Sequence, residues 1–164
     1  MTDTQEISRL FIAEVRFHLL QQYLPWLRSC LNRLSDDDIW WRPNDKSNSA
    51  GNLVLHLCGN VRQWMIHGVA GHTDVRDRNA EFAERGPIPK ADLLAKLENT
   101  LAEVDRVLQA ITAADLALPR RIQGFDQTVL SAVFHVIEHF SYHTGQIIYL
   151  TKMRTGEDLK FWNL

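Results

Sequence analysis

The sequence predicts an all-α fold, a bundle of four long helices. Three observations carry this prediction. Apolar residues recur at spacings of three and four along most of the chain, which lines one side of an α-helix. Almost nowhere do they alternate singly, as a half-buried strand requires. The 164 residues are 45% hydrophobic and 23% charged, enough for a single domain with a sizeable core.

The first helix carries Leu10, Ala13, Phe17, Leu20, Leu24, Leu27, Leu31 and Leu34 as its apolar seam. Pro25 lies inside it, lacks an N–H and would crowd the carbonyl of Gln21, which predicts a kink or break there. The segment ends in the polar turn LSDDDIWWRPND. The second helix follows the cap candidates Ser47, Asn48 and Ser49, and stops near Gly68 or Gly71. Residues 72–86, HTDVRDRNAEFAERG, are polar and mixed in charge and read as a long surface connection. Pro87 and Pro89 announce the third helix, with Leu94, Leu97, Leu101, Val104, Leu108 and Ile111 along its apolar side. TAADLALPRRIQGFDQ, broken by Pro119 and Gly124, reads as an irregular crossing with room for a short extended piece. The fourth helix starts near Thr128 and runs toward Thr155, before Gly156. Connections this long leave room for a crossover topology.

Composition narrows the function. Eighteen Lys and Arg stand against twenty Asp and Glu, a net charge of −2. That balance offers no basic face for nucleic acid. The most apolar segment is interrupted by His135, Glu138, His139, His143 and Gln146, which argues against a membrane span. The opening MTDTQEISRL lacks the basic and apolar regions of a signal peptide, and Cys30 and Cys58 form neither a CxxC nor a disulfide framework. A cytoplasmic protein is expected. No nucleotide-binding glycine motif, HExxH or GxSxG occurs.

The chemistry sits in two polar stripes. At about 100° per residue, Asn52, His56, Asn60, Gln63 and His67 share an arc of roughly 80° on helix two. Ser131, His135, His139, His143 and Gln146 share roughly 120° on helix four. Neither stripe carries a lysine, arginine or carboxylate, so each reads as a buried or cleft-lining seam rather than a solvated side. An HxxxH spacing places two imidazoles on one helical face, and a third from a facing helix completes a three-nitrogen site for one divalent ion. His56 is that third candidate. On helix four, 135/139 is as good a pair by spacing as 139/143. Three neutral imidazoles suit zinc, nickel, iron or copper, and leave a position open for water or substrate. The plainer alternative is a set of core histidines hydrogen-bonded to Asn52, Asn60 and Gln63. His67 reads as a solvated histidine at a helix end, and Cys58 as packing. Arg62, Arg76 and Arg78 could hold an anion but read as solvated residues of a mixed-charge segment.

The stretches WWRPNDKSNSAGNLVLHLCGNVRQW at 40–64 and HVIEHFSYHTGQIIYL at 135–150 resemble the DinB/YfiT-like superfamily of metalloenzymes, and DVRDRNAEFAERGPIP at 74–89 is similar to one bacterial subgroup of it. The resemblance implies a four-helix bundle, a homodimer and a metal held by His56, His139 and His143. It leaves His135, with Asn60, Gln63 and Gln146, as residues supporting the ligands or orienting substrate. Thr144 stands where many relatives have arginine. Better-understood relatives activate low-molecular-weight thiols, among them bacillithiol S-transferases and a mycothiol-dependent maleylpyruvate isomerase. The resemblance therefore implies a divalent transition metal, zinc or nickel, and a small-molecule substrate, a low-molecular-weight thiol or water. Set against this stand a non-catalytic metal- or ligand-binding protein of stress response and a plain interaction bundle.

Overall fold

The computed structural model describes residues 2–162. Helix α1 (Asp3–Arg16) starts in a capping box: Thr2 accepts from the Gln5 N–H while the Gln5 side chain accepts from the Thr2 N–H. It continues through a π-helical segment (Phe17–Tyr23) into α2 (Leu24–Arg33). The wide turn falls where Pro25 predicts a break, because Pro25 cannot donate to Gln21 and the ladder loosens to Leu24 N–H→Leu19 O. The widening also changes the seam. The buried face runs Ile12, Val15, Leu19, Tyr23, Leu27, Leu31, Leu34, with Leu10 and Phe17 exposed. Four-residue steps through the π turn hold one face inward where a regular helix would rotate away. Of the predicted seam, Leu27, Leu31 and Leu34 are buried and Leu20 and Leu24 are half-buried against the core, while Leu10, Ala13 and Phe17 face outward.

A short helix α3 (Asp36–Trp40), capped by Ser35 with three aspartates in its first turn, leads to α4 (Ala50–Val61). Of the three cap candidates, Ser49 caps α4, paired with Asn52 in a capping box. A second π-helical segment, Arg62–Val69, extends α4. The connection at 72–86 is not a bare surface loop: it contains the helix α5 (Arg78–Ala83), which packs on α4. Helix α6 (Lys90–Ala110) buries Leu93, Leu97, Leu101, Val104 and Leu108. The crossing that follows holds an antiparallel hairpin, β1 (Pro119–Ile122) and β2 (Phe125–Thr128). Its Gln123-Gly124 turn has φ of 54° and 84°, the double positive φ that suits a two-residue hairpin. Helix α7 (Val129–Thr155) is capped by Thr128 and ends at Gly156, φ 70°.

Packing orders these helices in a ring. α4 contacts α6 and α7, and α2 contacts the same two. The first and second long helices therefore lie diagonally, as do α6 and α7, so 34–49 and 111–128 both cross the bundle. Adjacency of α4 and α7 is what the two polar stripes need. No helix among the described residues is long and apolar enough to cross a membrane.

The register through the first π segment is testable. Leu19→Ala removes a side chain that is 1% exposed and is expected to cost about 2–5 kcal/mol, while Leu10→Ala stays within about 0.5 kcal/mol. Urea unfolding of the two variants checks this; equal losses would return the seam to Leu10.

Candidate metal centre

Three histidines meet between α4 and α7. His56 comes from the middle of α4, and His139 and His143 from successive turns of α7. One ring nitrogen from each lies within 4.8 Å of the others. His56 Nε2 is 3.1 Å from His139 Nε2, and the His139 and His143 ring centres are 4.5 Å apart.

The outward nitrogens are committed elsewhere. His56 Nδ1 lies 2.9 Å from Glu81 Oε2, and His143 Nδ1 lies 2.7 Å from Gln146 Oε1. An oxygen acceptor at Nδ1 fixes the proton there and leaves Nε2 of each ring with its lone pair toward the centre. Unprotonated nitrogens gathered this closely repel unless a proton or cation lies among them. The donor set thus fits a divalent ion with an open position. Burial, then the neighbouring His143 and His56, hold His139 neutral with its pKa pushed down to about 3. Burial likewise lowers His143 and His135. His139 therefore remains unprotonated, and able to serve as a ligand, well below neutrality.

Glu81 is the residue the sequence hid. It is 9% exposed, in a stretch that reads as solvated. Arg76, expected in solvent, has a side chain only 5% exposed and grips both carboxylate oxygens, Nε to Oε1 at 2.7 Å and Nη2 to Oε2 at 2.8 Å. Burial by itself would raise the Glu81 pKa, but the hydrogen bonds from Arg76 and His56 hold it below the usual carboxylate range. The same Nη2 lies 3.1 Å from His56 Nδ1. The backbone around Glu81 is pinned as well. Asn52 Nδ2 donates to the carbonyls of Glu81 and Glu84 at 2.9 and 3.0 Å, and Arg42 donates to those of Phe82 and Glu84. Gly59 makes the approach possible, since a Cβ there would overlap Glu81 Oε1. A lone glycine inside an apolar helix was the one sequence signal of that close contact.

The other stripe residues divide. Gln63 turns toward the 72–86 segment: its Oε1 accepts from Arg76 Nη1 at 2.9 Å and from Gln123, and its Nε2 donates to Asp74 at 2.6 Å. His135 stacks on Trp64, ring centres 3.9 Å apart, with Asn60 Nδ2 at 3.5 Å, and stands outside the three-nitrogen cluster. Thr144 is buried on the core side of α7. Cys58 is buried too, with its thiol pushed up to about 11 by desolvation, and takes no part.

The helical bundle is the fold of DinB-like proteins. Two solved structures share the fold. A DinB-like protein from Bacillus cereus is 14% identical, with a TM-score of 0.66 over 88% of this chain and 93% of that one. A DinB-like protein from Bacillus subtilis (YjoA) is 18% identical, with a TM-score of 0.65 over the same shares. Within this group the chain belongs to the family described as protein of unknown function (DUF1572), which matches residues 6–164. No curated protein matches the chain.

Two outcomes follow from this geometry. Glu81→Ala leaves Arg76 buried without its partner and is expected to cost about 3–5 kcal/mol of stability. If the three histidines hold a divalent ion, the substitution should also weaken its binding about 10–100-fold. Urea unfolding and zinc titration measure the two effects. Acid should destabilise the metal-free protein. His139 binds a proton near pH 6.5 when unfolded and only near pH 3 when folded, so its contribution is complete above 6.5 and falls through that window. Glu81, its folded pKa lowered, adds stability that is lost further down, below its unfolded value near 4.5. The urea midpoint should drop between pH 7 and 5, and drop less in His139→Gln.

Proposed function

We propose that the chain is a metal-dependent enzyme of the cytoplasm that activates a small thiol, or water, for transfer to a second substrate. His56, His139 and His143 are the ligands, and of the ions that neutral imidazoles suit, zinc or nickel is the one we favour. A divalent ion at this position, when bound, would make a coordinated thiol or water far more acidic. The residues around it have separate tasks. Glu81 and Arg76 fix the ring and tautomer of His56, and Gln146 does the same for His143. Asn60 and Trp64 hold His135 beside the cluster, where its imidazole can take up or return a proton. Gln63 supports the site through Arg76 rather than by touching substrate.

The single observation that carries the reading is the set of three ring nitrogens within 4.8 Å, with two of the rings oriented by oxygen acceptors behind them. A purely structural bundle has no use for such convergence. The alternative, a metal-binding protein without turnover, shares the ligands and differs only in lacking a reaction. A homodimer is part of the proposal, favoured by the exposed Leu130, Phe134 and Met153 on α7.

Elemental analysis of untagged protein is expected to find about one equivalent of transition metal, lost in His56→Ala and His139→Ala. Sedimentation of the same samples reports the dimer. Metal retained in both variants, or none in the wild type after reloading, would remove the basis for catalysis. Conjugation assays over a range of thiols and electrophiles then separate enzyme from binding protein.

A further inference from the structure

A cavity of about 500 Å³ lies between the 43–48 turn and α7, within the size range of small-molecule sites. It shares Gln146 with the metal centre, since the residue that lines the cavity also accepts from His143 Nδ1. The side chain thereby turns its oxygen to the histidine and keeps its Nε2 donor, which bonds to no described residue. Lys46 and Asn48 line the opposite wall, and Lys46 forms no ion pair among the described residues. Tyr142 and Tyr149 flank the opening, and Leu53 and Leu150 close its base. No carboxylate lines the cavity, in a chain whose net charge is −2.

The larger cavity, about 640 Å³ behind Arg76 and Glu81, makes the contrast. Arg62, Arg76 and Lys96 there face Asp74, Asp77, Glu81 and Glu84, so its lining has no excess of cations to draw an anion. In the lining of the smaller one, a cation and two amide groups stand beside aromatic walls with no carboxylate among them. That arrangement recognises an oxyanion on a compact, partly apolar body.

We propose that this cavity binds the anionic end of the substrate whose reacting group goes to the three histidines, so that the substrate is a small thiol carrying a carboxylate or phosphate. Lys46, Asn48 and Gln146 supply the donors, and Tyr142 and Tyr149 the walls. The inference rests on the reading of the site as a thiol-activating centre and adds the substrate class. The turn that presents Lys46 is itself ordered, with Asn44 Oδ1 accepting from the Lys46 N–H at 3.0 Å and the Ser47 hydroxyl at 3.1 Å.

Two measurements test it. Cobalt-loaded protein, titrated with N-acetylcysteine and with its uncharged amide, reports thiol binding through the sulfur-to-cobalt absorption. The acid should bind about tenfold more tightly, and Lys46→Met should erase that preference while leaving the affinity of the amide within about twofold. Equal affinities in the wild type, or a preference that survives Lys46→Met, would overturn the proposal. The second measurement does not depend on metal or thiol. Phenylacetate and phenyl phosphate, added to the protein as purified, should shift the side-chain amide signals of Asn48 and Gln146 in the wild type and not in Lys46→Met. Whichever anion shifts them more distinguishes carboxylate from phosphate. No shift with either overturns the cavity assignment. A shift in this arm without any thiol signal on cobalt would keep the anion site and sink the thiol reading.

Discussion

The Glu81 carboxylate, buried between Arg76 and His56, is the contact around which the centre is arranged. A charge in that position survives only if its partners are also buried and well placed. Arg76 meets both oxygens, and His56 meets Oε2 alongside it, its Nδ1 3.1 Å from the same Nη2. Each partner then needs its own support. Gln63 holds Arg76, while Asn52 and Arg42 hold the carbonyls that end α5. Gly59 leaves the space that any larger residue would fill. The consequence for chemistry is at His56, whose ring cannot turn without losing its hydrogen bond to the buried Glu81 carboxylate.

Helix α7 works under a different constraint. It must cover the core with Val133, Val136, Phe140 and Ile147 while turning His139 and His143 toward α4. Burial on that side keeps both imidazoles neutral, which suits ligands better than it suits surface histidines. Gln146, one turn on, accepts from His143 and also lines the cavity beside the 43–48 turn. The 72–86 segment supports the cluster from the α4 side, through Glu81 and His56.

Much of this was legible before the structure. Spacing located the long helices, Pro25 located the loosened turn, and uncharged polar stripes in apolar helices located the histidines. The seam of the first helix departs from its predicted line at Leu10, Ala13 and Phe17, because a π turn carries more residues than a regular one and periodicity alone does not reveal it. The hairpin at 119–128 was reduced to an extended piece, since strands of four residues give too little alternation to read. Arg76 reads as solvated and Glu81 draws no notice in the sequence, because a buried ion pair and two solvated charges look alike in one dimension.

The sequence by itself determined the helices, the polar stripes and the residue types able to hold a metal, because these depend on contacts three and four residues apart. Only the tertiary structure decided which histidines converge and which one stacks on Trp64. It also decided that a polar connection folds back to place a carboxylate behind His56. Those outcomes depend on which helices lie side by side and on desolvation by distant segments. Neither is a local property of the chain.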